Sequence, residues 1–428
     1  MKKTLAAIAI AAIAGASPAL ADLVFPSTSY RTGPYAANGI PFADGYADYF
    51  TLLNERDGGI GGVKVDVPEC ETAYNTEKGV ECYESTKGLG SLLYQPLSTG
   101  ITYQLIPKVT QDGIPMLTSG LGRTSAANGK VFKWVFNFPV NYWDGASIMV
   151  KYLLSENNND LKGKKIALLY HNSAYGKEPI RTLQELSKKY GFELSLLPVD
   201  HPGQEQKSQW LQIRRDRPDY VLMWGWGVMN PVAIQEAANV RFPMDHFIGI
   251  WWSGSENDVK PAGAAANGYK ALTFSGVGSD FPIYSDLKKY VYDAGKAAGA
   301  GDQTGTILYN RGLYAAFLAA EAAKKAQELS GHKQITPAEM RDGMENLNVT
   351  DELMAADGMP KFGPDFKVSC ANHGGSGKAQ VMQWDAKAEK WNVITDWIES
   401  DHSVIDPLIA EDSGAFAKEN NITPRDCN

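Results

Sequence analysis

Large aromatic side chains stand where three predicted strands end. Each follows a short apolar run that is typical of a buried strand: Tyr175 after 165–170, Trp226 after 219–224 and Trp251 after 246–250. Apolar runs of this length that alternate with helical patterns indicate a parallel sheet between layers of helices. Ligands bind such sheets at the carboxyl ends of the strands. We therefore predict a cleft lined with aromatic rings, which stack on flat ligands or attract a quaternary ammonium group.

Core packing between sheet and helix is the alternative explanation for the two tryptophans. Trp226 follows a strand and Trp251 stands at a strand end, whereas core aromatics are expected in the middle of strands. We therefore expect both in the cleft. Trp224 and Trp252 have the opposite strand parity, so we expect them to be buried on the far side of the sheet.

The bulk properties indicate an exported, acidic chain. Residues 1–21 combine Lys2 and Lys3 with a short apolar run and a small-x-small sequence ending at Ala21, the pattern of a cleaved secretory signal. The 428 residues carry a net charge of −8, which becomes −10 without those two lysines. This acidity, without a basic patch, argues against nucleic acid as a partner. The length exceeds the ~250–300 residues at which a single core stops growing, so we expect two lobes.

Four cysteines in an exported chain predict two disulfides. Three connectivities are possible, and we predict the local pairs Cys70–Cys82 and Cys370–Cys427 because the members of each pair are close in sequence. No Cys-x-x-Cys sequence is present, which removes the redox and zinc sites that need that spacing.

No set of residues indicates catalysis or a metal site. The six histidines lack metal-ligand spacing, there is no Gly-x-Ser-x-Gly elbow, and no nucleophile is matched with a base. The sequence Gly375-Ser376-Gly377-Lys378 lacks the spacer and the final Ser or Thr of a phosphate loop, so we interpret it as a turn. We expect no metal, no cofactor and no enzymatic activity.

Three sequence phrases and the order of the elements carry a resemblance to a known family. The phrases are Thr32-Gly33-Pro34, Asn54-x3-Gly58-Gly59-Ile60-x-Gly62 and Gly113-Ile114-Pro115-Met116-Leu117-Thr118. Together they resemble the substrate-binding proteins of bacterial ABC importers, most of all the leucine/isoleucine/valine-binding branch with its type I periplasmic binding protein fold. The resemblance covers essentially the whole mature chain.

The resemblance implies an α/β fold of two Rossmann-like lobes with parallel sheets, joined by a hinge that the chain crosses more than once. The lobes close on a ligand held between them. The expected division is a signal peptide at 1–21, a first lobe of 22–142 plus 273–376, a second lobe of 143–272 plus 377–405, and a C-terminal tail of 406–428 tied to the first lobe by a disulfide.

The resemblance also implies where the ligand binds. A ligand carboxylate meets hydroxyls and backbone N–H groups of two first-lobe loops, which correspond to Ser98, Thr99 and Gly100 and then to Gly120, Leu121 and Gly122. Without the resemblance, Ser98 and Thr99 are ordinary helix caps. The family's ligand-facing rings correspond to Tyr175, Trp226 and, near the hinge, Tyr309.

Two arginines near these positions have two possible roles. Arg123 follows the second loop, and Arg311 comes two residues after Tyr309. Each is expected either to pair with the ligand carboxylate or to form an ordinary salt bridge.

One departure from the family changes the expected ligand. Trp251 stands where amino-acid-binding members have an acidic residue for the ligand's α-ammonium, and Glu256 replaces that residue only if the loop shifts. An ammonium group buried without an acidic partner is costly. We therefore expect an apolar or aromatic carboxylate, and a branched-chain amino acid or a quaternary amine stays open as an alternative.

The resulting expectation is a monomeric periplasmic receptor that delivers a small molecule to the permease and ATPase of an ABC importer. Two other classes stay open, a ligand sensor for a membrane receptor and an exported enzyme on the same fold, because fold alone does not determine function.

Overall fold

The computed structural model describes residues 21–427. The predicted signal peptide therefore lies outside the described residues, apart from Ala21. The strands in the described part are β1 (Leu23–Val24), β2 (Ser27–Ser29), β3 (Val65–Asp66), β4 (Glu69–Glu71), β5 (Met116–Leu117), β6 (Val135–Phe136), β7 (Lys165–His171), β8 (Glu193–Val199), β9 (Tyr220–Trp224), β10 (Phe247–Gly249), β11 (Lys270–Thr273), β12 (Asn348–Val349), β13 (Phe366–Lys367), β14 (Lys378–Asp385), β15 (Lys390–Val393) and β16 (Ile398–Glu399).

Helices flank these strands along the chain. They are α1 (Ala36–Leu52), α2 (Thr76–Thr86), α3 (Thr99–Asp112), α4 (Tyr142–Glu156), α5 (Ala174–Lys177), α6 (Ile180–Tyr190), α7 (Lys207–Asp216), α8 (Met229–Asn239), α9 (Glu256–Val259), α10 (Ile283–Leu287), α11 (Ile307–Ser330), α12 (Pro337–Glu345), α13 (Asp351–Ala356) and α14 (His402–Glu419). Within residues 21–427, no helix is long and apolar enough to cross a membrane.

One sheet of eight strands forms the second lobe. Its order is β15-β14-β11-β10-β9-β7-β8, with β16 paired to β14. The strands from β8 to β11 are parallel, and the β14–β15 hairpin adds antiparallel strands beside β11. Successive residues of β7 enter two different hydrophobic clusters, Leu168 in one and Leu169 in the other. Both faces of the sheet are therefore buried, which explains the continuous apolar runs in the sequence.

Short parallel strands form the first lobe. β1 pairs with β3, β2 with β4 and β5 with β6, all in parallel. The segment 91–95 links these pairs through isolated parallel bridges, at Val24–Ser91, Ser27–Gln95 and Tyr94–Met116. The structure thus confirms the expected α/β fold of two lobes with parallel sheets. The chain leaves the large sheet after β11 and returns to it with β14, and the residue boundaries of the lobes stay a prediction.

Helices α1 and α11 of the first lobe pack closely because two glycines face the opposite backbone. A Cβ atom on Gly45 would lie 2.1 Å from the carbonyl oxygen of Tyr309, and one on Gly312 would lie 2.0 Å from that of Phe42. No side chain fits at such a distance, so only glycine permits this contact.

The chain end is anchored to the first-lobe side by packing and by a disulfide. Both predicted disulfides, Cys70–Cys82 and Cys370–Cys427, are confirmed. The predicted tail of 406–428 is largely helical, since α14 continues to Glu419. Phe416 of this helix stacks on Phe132, with 4.7 Å between the ring centroids. The apolar contact explains why this segment forms a helix rather than a loose tail.

Candidate functional site

A small, partly open cavity lies between the two lobes, with about 210 Å³ of space that includes open solvent. Six aromatic rings and two leucines line it: Tyr30, Tyr74, Leu97, Leu121, Tyr142, Tyr175, Trp226 and Trp252. None of these side chains carries a charge at neutral pH. The arrangement is therefore an aromatic box, which favours flat apolar groups by stacking and burial.

The second lobe supplies three of these rings from the carboxyl ends of its strands. Tyr175 lies in α5 just after β7, Trp226 follows β9, and Trp252 lies in a 3₁₀ turn after β10. The Tyr175 hydroxyl donates a hydrogen bond to the carbonyl of Gly225 at 2.9 Å, which fixes its ring beside Trp226. Tyr175 and Trp226 thus lie in the predicted cleft, and their contact with a ligand stays a prediction.

The expectation for the tryptophan pair at the end of β10 is wrong. Trp252 lines the cavity, whereas Trp251 is not among the lining residues and stacks on Tyr142, with centroids 5.9 Å apart. Strand parity fails here because β10 ends at Gly249 and Trp251–Ser253 forms a 3₁₀ turn. Trp224 is fully buried in the large hydrophobic cluster and is likewise absent from the lining.

The first-lobe loops of the box were missed by sequence reasoning. Tyr30 directly follows β2, Tyr74 precedes α2 and Tyr142 begins α4. The strand-end rule that identified Tyr175 and Trp226 also applies to Tyr30, but the short first-lobe strands give a weak sequence signal. Tyr74 and Tyr142 reach the cavity only through the tertiary fold.

Two hydrogen-bond donors on the cavity wall make no hydrogen bond of ordinary length. The Tyr142 hydroxyl and the Trp226 indole N–H are both buried without such an acceptor among the described residues, and their nearest polar neighbours are Thr99 and Tyr30. Burial raises the pKa of Tyr142 well above its usual value, so its hydroxyl stays protonated. Buried polar groups are normally paired. These two atoms therefore suit oxygen acceptors on a bound ligand.

The first-lobe groups that the resemblance assigned to a ligand carboxylate are mostly engaged within the protein. The Gly120 N–H donates to the carbonyl of Val140 at 3.1 Å, and the Leu121 N–H donates to that of Thr118 at 2.8 Å. Neither amide is free for a ligand in this structure, although the side chain of Leu121 lines the cavity.

The helix-start residues have similar internal partners. The Ser98 hydroxyl caps α3 by accepting from the Ile101 N–H at 3.4 Å, and the Thr99 hydroxyl accepts from the Gly122 N–H at 3.4 Å. Gly100 lies in the first turn of α3. These residues are close to the box, since Leu97 lines it, but none of the three is in its lining.

Arg123 forms an ion pair rather than facing the cavity. Its Nη2 lies 2.5 Å from a carboxylate oxygen of Asp412 on α14, and its guanidinium lies over the Phe416 ring at 4.7 Å. The salt-bridge alternative is therefore the one that the structure shows. Tyr309 is also outside the lining, because its hydroxyl donates to buried Asp48 at 2.9 Å.

Arg311 is buried behind the cavity wall. Its guanidinium lies between the rings of Trp252, at 4.9 Å, and Phe274, at 4.8 Å, and its Nη1 donates to the carbonyl of Trp251. Nε and Nη2 have no acceptor among the described residues. Burial lowers the pKa of Arg311 to about 9, so the group is still charged at neutral pH.

Glu256 does not take the place of the missing ammonium partner. Its carboxylate accepts from the Ile307 N–H at 3.0 Å and is absent from the cavity lining. Burial raises the pKa of Glu256 to about 7, against hydrogen bonds from backbone N–H groups that lower it. No acidic residue is among those that line the cavity.

Hydrogen bonds between the lobes show that the structure is closed around the box. The Tyr35 hydroxyl lies 2.9 Å from His171 Nε2 and 2.8 Å from His201 Nδ1. On another side, the buried carboxylate of Glu178 accepts from the hydroxyls of Tyr103, at 2.6 Å, and Thr124, at 3.0 Å. Burial raises the pKa of Glu178. The cavity is thus held shut by polar contacts outside its apolar lining.

A larger groove beside α14 is a weaker candidate site. It has about 820 Å³ of space that includes open solvent, and its wall includes Asp144, His402 and Asp406. It lies away from the strand ends of the large sheet and has few apolar rings. Ligand sites in proteins with two α/β lobes lie at strand ends, so we assign the site to the aromatic box.

Comparison with known proteins assigns this chain to one family. The periplasmic binding protein family matches residues 26–389. A Leu/Ile/Val-binding protein, BraC3 of Rhizobium johnstonii, is 27% identical over 179 residues, and the match spans 41% of this chain and less than half, 46%, of that protein.

Solved structures extend the similarity to nearly the whole chain. An ABC transporter permease from the Pseudomonas fluorescens group is 43% identical, with a TM-score of 0.88 over 95% of this chain and 99% of that chain. A branched-chain amino acid ABC transporter protein from Thermus thermophilus with bound valine is 19% identical, with a TM-score of 0.76 over 91% of this chain and 98% of that one. With its two lobes and the cavity between them, the chain belongs to the periplasmic binding protein family and has its type I fold.

Proposed function

We propose that this chain is a periplasmic receptor which captures a small apolar or aromatic carboxylate between its lobes and delivers it to the permease of an ABC importer. One observation carries the proposal. The cavity is a box of six rings with two donors that make no hydrogen bond of ordinary length, Tyr142 Oη and Trp226 Nε1, and no acidic residue in its lining. The rings fit the apolar body of the ligand, and the donors fit its oxygens.

The lining also argues against the ordinary amino acid ligand of the family. A zwitterionic amino acid brings an α-ammonium group, and burying that cation without a carboxylate costs several kcal/mol. Glu256, the one acid suggested for this role, is hydrogen bonded to the Ile307 N–H instead. A carboxylate without the amine avoids this cost.

A quaternary amine is the second candidate because aromatic cages bind such cations through the faces of their rings. Six rings surround this cavity, which favours that reading. The charge of Arg311, 4.9 Å from the ring of Trp252, opposes it, since a second cation on the cavity side would be repelled. We therefore place the carboxylate first.

Transport without catalysis, action as a monomer and export to the periplasm complete the proposal. Membership of the periplasmic binding protein family supports export to the periplasm and interaction with an ABC importer. Among the lining residues there is no nucleophile beside a base, which agrees with a receptor that returns its ligand unchanged. A ligand that is recovered intact at one molecule per chain distinguishes a receptor from an enzyme.

Calorimetry on the mature protein tests the ligand class. Benzoate and 4-methylpentanoate are expected to bind more tightly than leucine and tetramethylammonium. Tighter binding of leucine refutes the carboxylate proposal and restores the ordinary family ligand, and tighter binding of tetramethylammonium favours the cage.

The Tyr142 hydroxyl offers a sharper test of the oxygen-binding role. Tyr142→Phe keeps the ring and removes a donor, and hydrogen bonds to charged groups contribute about 1.5–3 kcal/mol, so carboxylate affinity should fall at least tenfold. Tyr46→Phe is the matched control, because the Tyr46 hydroxyl is also buried without a partner but lies outside the lining. Equal effects of the two substitutions would contradict a role for Tyr142 in binding.

A further inference from the structure

Arg311 is a buried cation that forms no direct salt bridge with any described residue. The side chain is 1% exposed, and two of its three nitrogens, Nε and Nη2, have no acceptor among the described residues. Its one hydrogen bond is to a neutral backbone carbonyl, that of Trp251. Buried charges are normally paired, because desolvation is costly and an isolated charge has no ion-pair interaction to offset that cost. A charge kept in this state calls for a functional explanation.

The position of Arg311 directs its charge toward the cavity. Trp252 is part of the cavity lining, and the guanidinium lies 4.9 Å from the centroid of its ring. Phe274 covers the other side of the guanidinium at 4.8 Å. With rings on both sides and the side chain almost fully buried, the charge is weakly screened. A ligand atom in contact with Trp252 lies within roughly 9 Å of it, given ordinary contact distances.

We propose that Arg311 sets the charge preference of the cavity, favouring anionic over cationic ligands by acting through Trp252 rather than by touching the ligand. This inference rests on the proposed function, because it concerns the same cavity. Arg311 then acts on the ligand only through its electrostatic field, without contact. This positive field would make the aromatic box a poor cage for an ammonium group.

Two carboxylates face Arg311 and oppose its field. Glu256 and Asp258 both raise the pKa of Arg311, against the larger lowering by burial. Asp258 is itself hydrogen bonded to the Asn38 amide at 3.1 Å, and the Glu256 carboxylate accepts from the Ile307 N–H. Burial raises the pKa of Glu256 to about 7 and that of Asp258 to about 6, so at neutral pH Asp258 is mostly ionised and Glu256 about half ionised.

The test compares ligands of one shape and different charge. Benzoate and benzamide differ by a unit charge, and a charge at this distance in a medium of intermediate dielectric changes affinity by about 5- to 20-fold. Wild-type protein should therefore prefer benzoate to benzamide. Arg311→Met should reduce that preference by about 5- to 20-fold and should raise the affinity for tetramethylammonium, whereas Arg311→Lys should keep the preference within about threefold of wild type.

A matched control separates this local effect from a general loss of positive charge. Arg123→Met also removes one guanidinium, but Arg123 is paired with Asp412 away from the cavity. The benzoate-to-benzamide ratio should not change in that variant. An equal fall in Arg123→Met and Arg311→Met overturns the inference, as does an unchanged ratio in Arg311→Met.

A second variant decides the matter if Arg311→Met does not fold. Glu256→Gln keeps a side-chain oxygen for the Ile307 N–H and removes a negative charge that faces Arg311. At pH 8, above the Glu256 pKa of about 7, the ratio should rise by about two- to fivefold. A ratio that does not rise overturns the inference.

Failure of the proposed function gives a different result. If leucine binds more tightly than benzoate, the carboxylate proposal fails. The charge preference is then measured with 4-methylpentanoate and its amide, which have the carbon skeleton of leucine without its amine. A wild-type protein that binds the amide as tightly as the acid in both pairs overturns the role of Arg311 whichever ligand proves to be the natural one.

Discussion

Replacing His171 is predicted to change how ligand affinity depends on pH. Tyr35 of the first lobe reaches across to the second lobe, where its hydroxyl lies 2.9 Å from His171 Nε2 and 2.8 Å from His201 Nδ1. His171 is fully buried, and its ring centroid is 3.9 Å from that of His201. Opening the lobes takes Tyr35 away and lets water reach both rings. Closure therefore buries imidazoles that are otherwise free to become protonated.

The direction of the effect follows from the pKa of His171. Burial, and then the nearby His201, lower that pKa to about 3, whereas an exposed imidazole has a pKa of about 6.5. The pKa of His201 is lowered too, mainly by burial, although Asp200 raises it. At a pH above about 6.5, His171 is neutral in both the open and the closed form, and closure costs nothing in protonation. As the pH falls below this value, His171 becomes protonated in the open form but stays neutral in the closed form. Closure must then release a proton, so the ligand affinity falls.

The size of the His171 contribution can be calculated between pH 7.5 and pH 5.0. With pKa values of about 6.5 when open and about 3 when closed, the affinity should fall about 30-fold over this interval, or about 2 kcal/mol. The buried carboxylates Glu178 and Glu256 act in the opposite direction, because burial raises their pKa and closure then takes up protons at low pH. The wild-type profile alone therefore mixes the two contributions.

Comparison of wild type with His171→Gln isolates the histidine, since the carboxylates contribute equally to both proteins. Calorimetry with one ligand at a series of pH values should show the ratio of wild-type to variant affinity falling about 30-fold from pH 7.5 to pH 5.0. A ratio that is constant over this range would mean that His171 does not change its protonation on closure, and it would refute the reasoning. Tyr35→Phe, which removes the bridging hydroxyl, should weaken affinity at both pH values.

The remaining predictions concern the box and the disulfides. Trp226→Ala should weaken ligand binding at least tenfold and should lose less unfolding free energy than Trp210→Ala, because Trp226 lies at the cavity whereas Trp210 is a core residue outside the lining. Trp210→Ala should lose about 3–5 kcal/mol and keep its affinity; denaturation and calorimetry on the same samples separate the two outcomes. Removal of the Cys370–Cys427 disulfide by two serine substitutions should lower the free energy of unfolding by about 2–4 kcal/mol and leave ligand affinity unchanged. A large loss of affinity in that variant would show that the chain end takes part in closure.

The sequence predicted the second-lobe half of the site because that half follows simple rules. The runs before Tyr175 and Trp226 are continuous and apolar, since both faces of β7 and β9 are buried, and ligand sites lie where such strands end. Position relative to strand ends is local information. It was therefore sufficient to place these two rings in the cleft.

The other half of the site could not be obtained in this way. Trp252 was assigned to the far side because parity assumes that a strand continues, but the backbone turns into a 3₁₀ helix at Trp251. Tyr74 lies between β4 and α2, and Tyr142 is the first residue of α4; the first-lobe strands that precede them have two or three residues and give no periodic signal. The burial of Arg311 depends on Phe274 and on Trp252 of the other lobe, both distant in sequence, and it has no local signature.

The Trp251–Trp252 pair also binds the loop that the resemblance assigned to the ligand carboxylate. Both indole N–H groups donate to the carbonyl of Gly120, at 2.8 Å from Trp251 and 2.6 Å from Trp252. Gly120 has a φ of +67°, and a Cβ atom there would lie 2.9 Å from the Trp251 indole nitrogen, so only glycine lets the two rings approach. The Gly120 carbonyl thus binds the opposite lobe, while the side chain of Leu121 lines the cavity and its contact with a ligand stays a prediction. In the proposed function, the Tyr142 hydroxyl and the Trp226 indole N–H bind the ligand oxygens.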